Sequence, residues 1–271
     1  VAAKLVVENH APLWQIGKYA QNLGIKSKLA LYPAISLGAA EVTPLEMVNA
    51  FGTLANKGIH NEPFAITRIE DKDGILIANF KPESSEGVSE ETAYIITDML
   101  TSVIDHGTGL RARSYFGRPA AGKTGTTQEF GDAWFIGYTP QLVAGAWVGF
   151  DDRRISFTGN YGQGSKAALP IWGRFMKFVY DSIEMPIEYF KMPENGNVVS
   201  VQFCKSSITE DGDPRLYSSD CSDGALTDII KLKDVPKSYD RKERNTGSSN
   251  HNPSSHEALE YNDEDDDYGG Y

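Results

Sequence analysis

Apolar residues recur at three- and four-residue steps through Pro12-Leu13-Trp14-Gln15-Ile16-Gly17-Lys18-Tyr19-Ala20, which predicts a helix closed by Gly24. Thr43-Pro44-Leu45-Glu46 has the pattern of a helix start: a capping Thr, a proline at the first helical position and a Glu three residues on. Leu45, Val48, Phe51 and Leu54/Ala55 form the stripe of that helix, which Lys57-Gly58 ends. Two runs, 64–70 and 75–80, read as strands of a hairpin turning at Asp73-Gly74. Ser89-Glu90-Glu91 opens a further helix through Ile104, with Tyr94, Ile95, Met99, Leu100 and Val103 as its expected core face and Gly107 as its stop. A meander follows over 123–127, 133–139 and 142–150, with links too short for anything but antiparallel pairing. The helix at 167–183 carries Ile171, Trp172, Phe175, Met176 and Val179 as a sheet-packing face. This order of elements predicts an α+β fold, an antiparallel sheet covered by helices on both faces.

Composition narrows the picture. With 271 residues and 40% hydrophobic content, the chain can bury one sizeable core and a small satellite. No run of eighteen apolar residues occurs, so no spanning helix is expected within it. The net charge of −11 argues against nucleic acid as a partner. Residues 237–271 hold four Lys/Arg against nine Asp/Glu and few apolar residues, and read as a disordered acidic tail. Residues 184–236 read as a small appended module of short strands that holds both cysteines. Val1-Ala2-Ala3-Lys4-Leu5 begins in mid-pattern, so the chain reads as a piece of a longer protein.

The candidate chemistry lies at Ala121-Gly122-Lys123-Thr124-Gly125-Thr126-Thr127. A lysine among threonines and glycines makes a cationic, donor-rich strand edge suited to a carboxylate. The same stretch, Gly117-Arg118-Pro119-Ala120-Ala121-Gly122-Lys123-Thr124, also fits the phosphate-cradling spacing G-x-x-x-x-G-K-[ST]. That motif requires a buried strand before the loop and a helix beginning at the lysine. Arg113-Ser114-Tyr115-Phe116 is too short and polar for the strand, and the β-branched and glycine residues after Lys123 are poor helix formers. The nucleotide reading is set aside.

Five segments together carry a resemblance. Leu37-Gly38-Ala39-Ala40-Glu41-Val42-Thr43-Pro44-Leu45-Glu46-Met47, Ala55-Asn56-Lys57-Gly58, His106-Gly107-Thr108-Gly109, the Lys123 stretch and Asp132-Ala133-Trp134-Phe135-Ile136-Gly137-Tyr138-Thr139-Pro140 resemble penicillin-binding protein transpeptidase domains, of the class A, bifunctional type. The resemblance covers residues 1 to about 180 and implies the serine β-lactamase/transpeptidase-like fold, N-terminally truncated. It implies a peptidoglycan D,D-transpeptidase that forms an acyl-enzyme from D-Ala-D-Ala stem peptides and also reacts with β-lactams. By the same resemblance Lys123 and Thr126 are catalytic, and Thr124, Gly125, Thr126 and Thr127 bind substrate, with the Thr126 N–H forming half of an oxyanion hole. Gly107-Thr108-Gly109 is expected to be a structural turn beside the site. No cofactor or metal is implied.

The family also needs a serine and lysine in S-x-x-K and a serine and asparagine in S-x-N. S-x-x-K occurs nowhere in this chain, and Ser248-Ser249-Asn250 falls in the acidic tail. Residues 1–183 are therefore expected to be the C-terminal part of the transpeptidase domain, inactive alone, with any membrane anchor upstream. A serine β-lactamase-type hydrolase and a non-catalytic peptidoglycan-binding module are the rival readings. The implied function lies outside the cytoplasm, on the periplasmic side of the membrane. In that oxidising space Cys204 and Cys221, the only cysteines, are expected to form a disulfide within a module poor in core residues.

Overall fold

The structure, a computed structural model, describes residues 2–152, 154–205, 207, 214–219, 221 and 223–236. The expected acidic tail, 237–271, lies outside the described residues. The helices are α1 (Ala2–Val7), α2 (Leu13–Asn22), α3 (Pro44–Ala55), α4 (Glu90–Asp105), α5 (Gly164–Ala167) and α6 (Leu169–Ser182). The strands are β1 (Ile59–Asn61), β2 (Arg68–Glu70), β3 (Leu76–Asn79), β4 (Ser84–Glu86), β5 (Ala121–Thr126), β6 (Asp132–Tyr138), β7 (Val143–Gly149), β8 (Val198–Cys204) and β9 (Ala225–Lys231). Among the described residues no helix is long and apolar enough to cross a membrane.

Two compact units separate. The first comprises residues 1–201 and 227–235, and the second, in its described part, lies within 202–226 and at Pro236. The second unit holds the Cys204–Cys221 disulfide, with Cα atoms 5.6 Å apart, and a bridge between Phe203 and Leu216.

The centre of the first unit is the antiparallel sheet β5-β6-β7. Side chains alternate across a strand, so Gly122, Thr124 and Thr126 share a face with Ala133, Phe135 and Gly137 of β6. Helix α6 covers that face: Trp172 packs tilted against Phe135 at 4.9 Å between ring centres and donates its indole N–H to Gly137 O at 3.0 Å. Leu169, Met176 and Tyr180 complete this core with Phe116 and Ile104. The opposite face carries Ala121, Lys123 and Gly125 with Tyr138, Ile136 and Trp134. Helices α3 and α4 close only one end of it, where Leu54, Ala93, Ala121 and Tyr138 pack and the Thr97 and Tyr138 hydroxyls meet at 2.8 Å. The end that bears Lys123 and the half-exposed Trp147 stays open. An α+β sheet covered on both faces is thus what the chain builds.

Some expected faces were misplaced. On α4, Ala93, Thr97 and Ile104 turn inward while Met99 is exposed. On α6, Trp172, Gly173, Met176 and Tyr180 turn inward while Ile171 and Phe175 are about half exposed. Leu45, expected in the α3 stripe, is also exposed; Ala50, Thr53 and Leu54 are the buried residues of that helix. The hairpin strands β2 and β3 are shorter than the apolar runs that suggested them, and β1 pairs with β4, a pairing of three-residue strands that periodicity does not reveal.

Glu46 is a closely held carboxylate of this unit. It accepts from Thr43 N–H and O–H (both 2.9 Å), closing the expected capping box, and from Lys26 N–H (2.8 Å), Ser27 N–H (2.7 Å) and Ser27 O–H (2.7 Å). These donors, the Thr43 N–H first, lower its pKa from the ordinary 4.5 to about 2. A lowered folded-state pKa contributes stability that is present above 4.5 and is lost as pH falls toward 2. Glu46→Gln should therefore lower the melting temperature at pH 7, and the gap from wild type should close progressively below pH 4.5. Thermal melts of both proteins across that range check this, and a gap independent of pH would contradict it.

Candidate functional site

Lys123 lies in the middle of β5, and no helix begins there, which excludes the phosphate-cradle geometry. Among the described residues β5 pairs only with β6, which leaves its other edge without a strand partner. The orientation of that edge follows from one hydrogen bond. The N–H of Thr127 points inward, to Asp132 O at 3.1 Å. Main-chain groups alternate in direction along a strand, so the N–H and C=O of Thr126 and Thr124 face the open edge. The Lys123 side chain folds over this edge, with Nζ donating to Thr124 O at 2.8 Å. Lys123 is exposed, not buried.

Each threonine hydroxyl has its own partner. Thr126 Oγ1 accepts the N–H of Gly164 at 3.0 Å. A main-chain N–H can only donate, so the Thr126 O–H proton is left free for an acceptor outside the protein. Gly164 can sit there only as glycine: a Cβ would meet Trp134 O at 2.3 Å and Gly125 O at 2.4 Å. Thr124 Oγ1 lies 2.8 Å from Thr108 Oγ1. As alternate residues on one strand face, Thr124 and Thr126 stand about 6.6 Å apart along β5, a span that a carboxylate can bridge.

The remaining expected residues take other places. Gly125 faces the Lys123 side of the sheet, where an added Cβ would press on Trp134 Cβ at 3.0 Å. Thr127 lies just past the strand, and its hydroxyl accepts the Asp132 N–H at 2.8 Å, so its side chain serves the turn into β6. Asp132 in turn accepts the Trp147 indole N–H at 2.8 Å, and Trp134 packs beside Trp147 with ring centres 6.4 Å apart. Cys204 and Cys221 are brought together in the second unit as a disulfide. Two residues that sequence reasoning did not assign to the site reach it: Gly164, through its N–H, and Thr108, read only as part of a turn. For Thr108 the signal was present in the His106-Gly107-Thr108-Gly109 segment; for Gly164 there was none.

Residues 13–169 match the family model described as the penicillin-binding protein transpeptidase domain. Penicillin-binding protein 1A of Aquifex aeolicus (strain VF5) is 40% identical over 170 residues, covering 63% of this chain and 23% of that protein. Penicillin-binding protein 1A of Rickettsia typhi (strain Wilmington) is 32% identical over 224 residues, 74% of this chain and 28% of that protein. The chain thus spans about a quarter of the length of these relatives. Among solved structures, penicillin-binding protein 1A from Haemophilus influenzae superposes with a TM-score of 0.75 at 24% identity, over 88% of this chain and 39% of that one. PonA1 from Mycobacterium tuberculosis in complex with penicillin V gives 0.52 at 24% identity, over 66% and 52%. At these identities the structural likeness shows the fold.

Proposed function

Since this chain belongs to the penicillin-binding protein transpeptidase domain family, we propose that β5 is the substrate-carboxylate strand of a peptidoglycan D,D-transpeptidase. One observation carries the reading. A lysine ammonium, two threonine hydroxyls and the Thr126 N–H are gathered at one free strand edge. The terminal carboxylate of a D-Ala-D-Ala stem peptide, or that of a β-lactam, would accept the Thr124 and Thr126 O–H protons in the field of Lys123. The Thr126 N–H would stabilise the oxyanion as a serine attacks the carbonyl, and the peptide would lie along the edge as an added strand.

The attacking serine, in S-x-x-K, and the proton-relaying S-x-N pair would come from a segment outside this chain, as would the remaining half of the oxyanion hole. The acyl group would then pass from that serine to an amine of a second stem peptide. Lys123 would support proton transfer through the S-x-N serine. This chemistry belongs on the outer side of the cytoplasmic membrane, where the substrate is. The division into a transpeptidase part (1–183) and an appended module (184–236) is part of the same proposal.

Two labelling experiments test it. The 271-residue chain alone contains no S-x-x-K serine and should form no covalent band with a fluorescent penicillin after denaturation. A hybrid with residues 13–169 in place of the matching segment of the Aquifex aeolicus relative should be labelled. A band on the chain alone, or none on a folded hybrid, would reject the reading.

A further inference from the structure

The two threonines of the candidate edge differ in how their protons are directed. For Thr126 the direction is fixed, because Gly164 N–H occupies an acceptor position on Oγ1 and the O–H must point elsewhere. For Thr124 it is open: in its 2.8 Å contact with Thr108 either hydroxyl can be the donor. If Thr124 donated to Thr108, it would turn only lone pairs toward an incoming carboxylate, and the two would repel. A carboxylate at this edge therefore requires the opposite sense, Thr108 O–H donating to Thr124 Oγ1 and Thr124 O–H donating to the anion.

The loop that holds Thr108 is built to keep it in place. The N–H groups of Gly107 and Gly109 both return to Val103 O, at 3.2 and 2.9 Å, wrapping the loop over the last turn of α4. A Cβ at Gly107 would meet Val103 Cα at 2.9 Å, and one at Gly109 would meet Val103 O at 3.0 Å, so the wrap needs glycine on either side of Thr108. Arg113 anchors both flanks: its Nε and Nη2 reach Asp105 Oδ1 at 2.8 and 2.6 Å, and its Nη1 reaches Arg118 O at 2.6 Å. The hydroxyl of Thr108 is thereby presented to that of Thr124 on β5.

We infer that Thr108 is a positioning residue for carboxylate recognition, its hydroxyl donating to Thr124 Oγ1 so that the Thr124 O–H is aimed at the substrate anion. Thr108 and Gly164 then play the same part for the two threonines, each filling an acceptor position so that both protons face one ligand. Hydrogen bonds in such a chain also polarise one another, which strengthens the outer donor. The inference rests on the carboxylate reading of β5 given above.

An NMR titration of the isotopically labelled 271-residue chain tests it, with N-acetyl-D-alanyl-D-alanine as the carboxylate probe and its C-terminal amide as the control. Wild type and Thr108→Ser, which keeps the hydroxyl, should bind the free acid alike and more tightly than the amide. Thr108→Val, close to isosteric but without a donor, should bind the acid roughly three- to tenfold more weakly, with its amide affinity unchanged. Unaltered affinity of Thr108→Val for the acid would overturn the inference. So would an equal loss for acid and amide, which would mean that Thr108 only shapes the loop. Should wild type itself bind the acid no better than the amide, the carboxylate reading of β5 falls, and this inference with it.

Discussion

In the Aquifex aeolicus hybrid, Lys123→Ala should slow acylation by penicillin at least about a hundredfold while leaving the melting temperature nearly unchanged. A charge-assisted hydrogen bond to a carboxylate is worth roughly 1.5–3 kcal/mol, and a group that assists proton transfer contributes about 10²–10⁴ in rate. Either effect alone reaches or approaches a hundredfold. The stability side follows from the position of the residue. Lys123 is exposed, and its ammonium reaches only the carbonyl of the next residue, so truncation removes no core packing. Rates of penicilloyl formation and thermal melts on the same two hybrids make the comparison. Steady acylation, or a collapse in stability, would make Lys123 a structural residue.

Trp172→Ala should have the reverse profile, with a large loss of stability. The indole is 1% exposed, packs on Phe135 and Phe116 with ring centres at 4.9 and 5.7 Å, and donates to Gly137 O. Removing a buried tryptophan costs about 3–5 kcal/mol, against a total of roughly 5–15 kcal/mol for a folded domain. The melting temperature of the 271-residue chain should fall by about 10 °C or more. Since Gly137 pairs with Gly122 at the start of β5, the loss reaches the candidate site through the sheet. Trp172→Phe, which keeps most of the packing but loses the N–H donor, should fall in between. A drop of no more than a degree or two for Trp172→Ala would show that α6 is not what holds this face.

What the sequence disclosed was what short-range chemistry determines. The Thr43–Glu46 capping box and the three strands around Lys123 depend on residues within a turn or a strand of one another. Helix faces were harder to read because α4 and α6 carry more large apolar residues than one stripe can bury. The inward positions went to Ala93, Thr97 and Ile104 on α4 and to Trp172, Gly173, Met176 and Tyr180 on α6, and Met99, Ile171 and Phe175 were left outside. The β1–β4 pairing joins short segments about 25 residues apart, one of them Ser84-Ser85-Glu86, with no apolar alternation to announce it. At the site, Lys123, Thr124 and Thr126 were legible as a motif. The contacts that orient the two hydroxyls were not, since they bridge 16 residues for Thr108 and 38 for Gly164.

The most direct measurement is a crystal structure of the hybrid acylated by penicillin. It should place the drug's carboxylate within hydrogen-bond distance of both Thr124 Oγ1 and Thr126 Oγ1, with Lys123 Nζ alongside, and the acyl carbonyl oxygen on the Thr126 N–H. An acylated hybrid whose ligand carboxylate points away from β5 and touches neither threonine would contradict the account at its centre.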